Sequence, residues 1–526
     1  MADKKITIYD TTLRDGAQTL GISFSLQDKL RIAQALDRLH VDYIEGGWPG
    51  SNPKDDLFFQ QIRESELEHA KIAAFGSTKR KDLSVSEDNF LQALVNSQAD
   101  VITIVAKSWD FHVTRALGIT LEENLTLIRD TVSYLKEKEF TVFIDCEHYF
   151  DGYKANSDYA LSCINTASEA GADMAVLCDT NGGTLPHEVS EITAAAIKGS
   201  NIEIGVHFHN DTGVAVANSQ AALLAGAVSV QGTMNGYGER CGNCNLMTLT
   251  PNIALKMNYD CAMKDFLVHL TETSRFISET ANLAHNENLP YVGNHSFAHK
   301  GGIHVSALQK DTRTYEHINP ELVGNKRQIL ISELSGKSNI EFKAREMGID
   351  LKKDVTLPKE ILQKIKGLED RGFQFEAAEG SFELLIREAT GQYKPFFNLK
   401  GFRVITEMDA EENLTCEATI KVEVKGREEH TASNGNGPVE ALDNALRKAL
   451  TKFYPEISEI KLTDYKVRVL NEKDGTGSSV RVLIDQKQDT SHWGTVGVST
   501  NIIEASWQAL VDGIEYMLLK KNVKPE

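Results

Sequence analysis

The chain has 526 residues, 41% of them hydrophobic and 25% charged, with a net charge of −19. At roughly 100–200 residues per domain this length predicts about three domains, or one large barrel with additions, and the composition excludes a disordered chain. The acidic balance excludes nucleic acid or an anionic membrane surface as the main partner, while a local site can still be basic enough for a small anionic substrate.

No run reaches the ~18 apolar residues of a membrane span, and the start, MADKKITIYD, has no apolar signal core after its lysines. A cytoplasmic protein is expected. Seven cysteines (Cys146, Cys163, Cys178, Cys241, Cys244, Cys261 and Cys416) are scattered and odd in number, which predicts free thiols. Cys241 and Cys244 form a CxxC with no second pair, so a zinc ribbon is not expected.

Eight short β-branched runs follow in order: Ile6–Asp10, Tyr43–Gly46, Lys71–Phe75, Val101–Val105, Thr141–Asp145, Met174–Leu177, Glu203–His207 and Val228–Thr233. Amphipathic stretches such as Leu26–Leu39 and Ala160–Ala170 lie between them. Eight βα units predict a TIM barrel over residues 1–280. No Gly-rich turn follows the first run, which disfavours a doubly wound sheet. Residues 281–379 read as a helical linker region with His295, His299 and His304. Residues 380–526 read as an α+β regulatory domain with a weak repeat. Strand Ala418–Val424 with helix Pro438–Leu450 recurs as strand Val480–Asp485 with helix Ile502–Leu518. Duplicated modules of this kind suit a small-molecule sensor, a dimerisation domain, or both. The turns Ser433–Pro438 and Gly497–Asn501 before the two helices are expected to offer free backbone amides to an amino-acid carboxylate.

A barrel places catalytic groups at the C-terminal ends of its strands, and polar residues do follow those runs. They include Arg14-Asp15, Glu45-Gly46, Glu147, Asp179-Thr180, His207-Phe208-His209 and the stretch from Asn235 to Arg240. Alternate residues of a strand share a face, so His207 and His209 can reach one point, and Asp15 arrives from the strand that closes beside them. An isolated HxH is as well read as hydrogen-bonded rim histidines. With Asp15 beside it the set suits a divalent metal with open positions, and the Asn243 carbonyl can join. Arg14 can hold a carboxylate or a developing oxyanion, provided the chain bends at Thr11, Thr12 and Gly16; a structural ion pair is the other reading. Glu147 can orient a proton carrier or simply be a solvated rim carboxylate.

Three motifs carry a resemblance: Asp10-Thr11-Thr12-Leu13-Arg14-Asp15-Gly16, His207-Phe208-His209-Asn210-Asp211, and Gly238-Glu239-Arg240-Cys241-Gly242-Asn243. Together they resemble the acetyl-CoA-dependent 2-oxoacid synthases, the isopropylmalate, homocitrate and citramalate synthases, over nearly the whole chain. The stretches Gly46–Asp55, Ser108–Val113, Glu147–Lys154 and Cys178–Thr184 look most like the long-form citramalate type. The resemblance implies condensation of acetyl-CoA with pyruvate to (R)-citramalate, the alternative being 2-isopropylmalate formation from 2-oxoisovalerate. It implies a divalent cation (Mn2+, Mg2+ or Zn2+) on Asp15, His207, His209 and Asn243, with Arg14, Glu147 and Thr180 serving the substrates. It implies His304 as proton acceptor from the partner of a homodimer, with Tyr315 nearby, and isoleucine as feedback inhibitor. Cys241 does not stand in the Gly-Cys-Pro loop that the related lyases use. No lysine is expected at a strand end, as the related transcarboxylases would need.

Overall fold

The computed structural model describes residues 4–65, 67–330, 336–351, 356–470, 472–489 and 491–524. The outer ends of the expected first and last regions, residues 1 and 526, lie outside them. The described residues form two units, Met1–Phe297 with Ile318–Arg327, and Ala298–His317 with Gln328–Glu526.

In the first unit eight parallel strands close into a barrel: β1 (Thr7–Asp10), β2 (Tyr43–Gly47), β3 (Lys71–Ser77), β4 (Val101–Lys107), β5 (Thr141–Glu147), β6 (Met174–Asp179), β7 (Glu203–Phe208) and β8 (Ser229–Gly232). Closure is between β1 and β8, with Thr7 opposite Ser229 and Asp10 opposite Gly232. Side chains from alternate strand positions fill the inside, among them Tyr9, Ala73, Val101, Phe143, Met174, Val176 and Cys178. The other strand faces pack with the surrounding helices into one large apolar layer. The helix Leu26–Arg38 starts on a capping box between Ser25 and Asp28 and buries Ile32, Ala33 and Leu36. Six strands, β2 to β7, outrun the expected limits, and β4 thereby ends in Lys107. This corrects the expectation of no strand-end lysine. Lys107 is ion-paired to Glu147 at the end of β5, so its amine is already engaged.

Two glycines shape the mouth at β2. A Cβ on Gly46 would lie 2.1 Å from the Phe58 ring, and Gly47 has φ +147° with Asp55 pressed against it. The register of β2 against β3 shifts between Glu45 and Gly47. Only residues without side chains allow this crowding, and the bulge leaves Glu45 fully buried.

In the second unit the short strands β9 (Ala298–His299) and β10 (Gln328–Ile329) pair in parallel. Helices Lys337–Glu346, Leu357–Asp370 and Glu379–Ala389 share a core of Ile340, Ile361, Ile365, Phe375, Phe382 and Ile386. Two antiparallel three-stranded sheets follow, β11 (Asn398–Met408), β12 (Leu414–Val424) and β13 (Arg427–Gly435), then β14 (Lys461–Val469), β15 (Val480–Gln488) and β16 (Ser491–Ser499). Each sheet is followed by a helix, Pro438–Leu450 and Ile502–Lys520. The repeat is real, but each module has three strands rather than one. The first halves of the stretches expected as open turns belong to β13 and β16. A Cβ on Gly435 would sit 2.3 Å from the Ala441 nitrogen and one on Gly497 1.9 Å from the Ala505 carbonyl, so these glycines let strand and helix touch. At the second helix the first amides are used internally, Asn501 accepting from Ile503 and Glu504. Ahead of the first helix Glu440 accepts the Asn436 amide, while no side chain caps that helix's own first amides. No helix among the described residues is long and apolar enough to cross a membrane.

One buried acid in this unit has a measurable consequence. Glu515, 4% exposed, accepts the Phe396 amide, and burial pushes its carboxyl up to about 8. An acid raised in the fold stabilises fully below the ordinary carboxylate range, and the contribution is lost as pH rises through the folded value. The unfolding midpoint of the C-terminal region in calorimetry should therefore fall between about pH 5 and pH 8.5. Glu515→Gln, which keeps the acceptor, should flatten that slope; an unchanged slope would remove Glu515 as its source.

Candidate active site

The chain leaving β1 is folded back by its own side chains. Asp10 accepts from the Thr12 amide at 2.9 Å and the Thr12 hydroxyl at 2.8 Å, and Thr12 in turn accepts the Met234 amide at 2.8 Å. The Arg14 and Gly16 amides both bond the Thr11 carbonyl. These bonds make the expected bend, but Gly16 needs no special backbone angle, and a Cβ there would make ordinary contacts. The threonines, not the glycine, turn the chain.

The turn delivers Arg14 and Asp15 together. Arg14 Nε donates to Glu45 Oε1 at 2.5 Å, its Nη1 lies 3.5 Å from Asp15 Oδ2, and its plane covers the Phe75 ring at 3.9 Å. Glu45 also accepts from the Tyr9 hydroxyl and the Thr11 hydroxyl, each at 2.8 Å. Thr103 bonds the Tyr9 oxygen at 2.9 Å. The sequence left Tyr9 and Thr103 unnoticed and gave Glu45 no role. Their signal is a polar residue at an inward position of a barrel strand.

Asp15 is 3% exposed and its Oδ2 is the meeting point. His207 Nε2 lies 3.3 Å away, His209 Nε2 3.9 Å, and Asn243 Nδ2 2.9 Å. Burial alone would raise the Asp15 carboxyl, but Arg14 and His207 hold it well below the usual carboxylate range. Burial opposes charge on His207 as well, and there Asp15 prevails and raises it. Burial, with His207 beside it, pushes His209 down to about 3. Asn243 is brought in by a bridge to His209 and by Gly238 and Gly242, whose positive φ lets the loop fold onto it. A Cβ on Gly238 would be 2.3 Å from Asn243 Oδ1.

These residues fit a divalent cation. Ligand atoms of Asp15, His207 and His209 all lie within 4.8 Å of one another, a carboxylate–imidazole donor set suited to a first-row metal. Asn243 Oδ1 and His209 Nδ1 are buried without hydrogen-bond partners, and a buried polar atom without a partner is costly. A half-turn of the Asn243 amide exchanges its nitrogen for the orphaned oxygen beside Asp15, where a cation would accept it. Among the described residues a second such group exists, His112, Glu147 and His148, but there Lys107 already neutralises the carboxylate.

Behind His207 lies a buried relay that the sequence missed. His207 Nδ1 bonds Gln231 Oε1 at 2.9 Å, and Gln231 Nε2 donates to Asp145 Oδ1 at 2.9 Å. Thr180 accepts the His148 amide at 2.9 Å, which leaves its hydroxyl proton for another acceptor. Arg240 ties the loops together, pairing with Asp211 at 2.7 Å and the Thr180 carbonyl at 2.7 Å. His304 and Tyr315 belong to the second unit. Their rings lie 4.1 Å apart and both are exposed.

Comparisons with known proteins agree along the chain. Residues 5–277 match the HMGL-like family, 291–373 the homocitrate synthase post-HMGL domain-like family, and 376–518 the LeuA allosteric (dimerisation) domain. An (R)-citramalate synthase of Geobacter sulfurreducens is 56% identical over 98% of both chains. One from Aquifex aeolicus is 53% identical, also over 98% of each. A probable 2-isopropylmalate synthase of Methanopyrus kandleri is 31% identical over 98% of this chain and 99% of its own.

The cluster predicts its own titration. Metal-stripped protein should take up Mn2+, counted by the electron spin resonance of the free ion, and Asp15→Ala should weaken that uptake at least ~100-fold with an unchanged circular dichroism spectrum. Equal uptake by the variant would place the ion elsewhere.

Proposed function

The chain belongs to the (R)-citramalate synthase family, and from that premise we propose that it condenses acetyl-CoA with pyruvate and hydrolyses the thioester, releasing citramalate and CoA. The observation that carries this reading is the convergence of Asp15, His207 and His209 beside an Arg14 already anchored on Glu45. Asp15, His207, His209 and Asn243 would hold a divalent cation (Mn2+, Mg2+ or Zn2+), which when bound supplies Lewis-acid polarisation of the ketone.

The remaining steps use the chain's own groups. A methyl proton leaves acetyl-CoA, the enolate carbon bonds C2 of the oxoacid, the resulting alkoxide is protonated, and water cleaves the C–S bond. Arg14, with one edge on Glu45, presents charge where the oxyanion develops. The Thr180 hydroxyl donates to the oxoacid carboxylate. Glu147, held by Lys107, orients the proton carrier. In this reading His304 is that carrier, supplied by a second copy of the chain in a homodimer, with Tyr315 against its ring. A cavity of about 650 Å³ at the ends of β3, β4 and β5, between Trp48, Phe75, Lys79, Lys107 and Glu147, supports an acyl thioester with a phosphorylated handle.

The small oxoacid is supported by the aromatic wall beside Arg14. Phe75 stacks on its guanidinium, and Trp48 stands edge-on to Phe75 at 5.4 Å. The match to an allosteric (dimerisation) domain supports feedback inhibition by isoleucine, with leucine second. Seven unpaired cysteines support a reducing, cytoplasmic setting.

Thiol release from acetyl-CoA tests the proposal. Pyruvate should exceed 2-oxoisovalerate in kcat/KM by at least ~10-fold, which is ~1.4 kcal/mol of transition-state preference. Preference for the branched acid by that margin would shift the reading to 2-isopropylmalate formation, and no thiol release with either would refute condensation.

A further inference from the structure

The Asp15 cluster requires His207 to present an unprotonated Nε2, because the atom facing Asp15 is the one that would bind a cation. An imidazole offers two nitrogens, and nothing intrinsic to histidine chooses the right one. The choice depends on what the other nitrogen meets. Here it meets Gln231, 1% exposed on β8, and Gln231 meets Asp145, 3% exposed on β5.

We infer that Gln231 and Asp145 are positioning residues that fix the His207 tautomer for metal binding, a role that rests on the metal reading given under Proposed function. The chain of constraint has three links. Burial raises the Asp145 carboxyl to about 7, so above that pH it is a carboxylate that only accepts, and it holds the Gln231 amide with its nitrogen toward β5. The amide oxygen must then face His207 Nδ1, at 2.9 Å. An oxygen there demands the proton on Nδ1, so the proton that gives way to a cation is the one on Nε2. Without Gln231 the nearest acceptor for His207 is Asp15 at 3.3 Å, which would draw the proton onto Nε2, the wrong nitrogen.

The amide is also the right group for its surroundings. Glu45 and Asp145 already act on one another inside the barrel. A carboxylate at 231 would accept from His207 as well, but would add a further buried negative charge facing Asp145. Glutamine transmits the orientation of a buried acid without adding charge.

The test uses full-length, metal-stripped protein labelled with 15N-histidine, studied at pH 9 so that the imidazole is neutral. Two-bond 1H–15N correlations should show the Nδ1–H form for His207, identified by its loss in His207→Asn. Gln231→Leu should convert it to the Nε2–H form and weaken Mn2+ binding, followed by calorimetry, by ~10–100-fold. Gln231→Glu should keep the Nδ1–H form and Mn2+ affinity within about threefold while lowering the thermal midpoint. That split separates orientation from mere structural support. Asp145→Asn, in which the partner can donate or accept, should give a mixture of the two forms, and it serves as the second probe if Gln231→Leu fails to fold. Retention of Nδ1–H and of Mn2+ affinity in Gln231→Leu, or a pure Nδ1–H form in Asp145→Asn, would overturn the inference alone. Wild-type protein that binds no Mn2+ would overturn it together with the metal reading.

Discussion

Arg14 and Glu45 form the contact on which the mouth of the barrel is built. Glu45 is fully buried, and a carboxylate there is tolerable only because Arg14, Tyr9 and Thr11 all donate to it. Taking away one partner of such a pair costs about 3–5 kcal/mol, since the other is left buried and uncompensated. The pair joins the turn after β1 to the bulge of β2, where Gly46 and Gly47 make room for Phe58 and Asp55. It also sets the charge pattern of the site. With one edge on Glu45, Arg14 leaves its other edge beside Asp15, which holds that carboxylate ionised against the pull of burial. The histidines arrive at the C-terminal end of β7, His207 within it and His209 just past it, and meet Asp15.

Two groups at this rim have the residue types to hold a cation, and their electrostatics differ. At Asp15 the neighbouring arginine is anchored elsewhere, on Glu45. At Glu147 the neighbouring Lys107 bonds the carboxylate itself. Both clusters hold an imidazole nitrogen without a hydrogen-bond partner, His209 in one and His112 and His148 in the other, but only the second has its carboxylate already paired with a lysine. The C-terminal modules have their own cores around Ile420, Leu446, Ile484 and Leu510.

The barrel was legible because its strands are buried on both faces and read as short apolar runs, each ending in polar residues. His207, His209, Asp15 and Arg14 stood out because strand-end chemistry is the rule for such barrels. The inner polar contacts were not legible. Gln231 looks like any strand residue until β5 and β8 face each other across the barrel, and Tyr9 reads as core until its hydroxyl is seen on Glu45. Lys107 was missed because Ala106 weakens the β-branched run before it. The outer strands of the C-terminal sheets were missed for a similar reason. Arg427–Gly435 is mostly polar and leaves no apolar stripe, and in the largely exposed Asn398–Met408 only Phe402 and Val404 face the core. Of the helix starts expected to offer free amides, the second has them taken by Asn501, which sequence alone does not reveal.

The central claim is that buried Glu45 aims Arg14 at the charge that develops on the oxoacid, and its most direct measurement is the steady-state kinetics of Glu45→Gln with pyruvate. Gln keeps the shape and one acceptor oxygen for Arg14 and Thr11, with the Tyr9 hydroxyl able to turn and accept from the new NH2, but removes the charge that orients the guanidinium. The account predicts a fall in kcat of ~100-fold or more, as for the loss of one oxyanion donor, with Mn2+ affinity and pyruvate KM within about threefold of wild type. A kcat close to wild type, or a loss confined to KM, would contradict it.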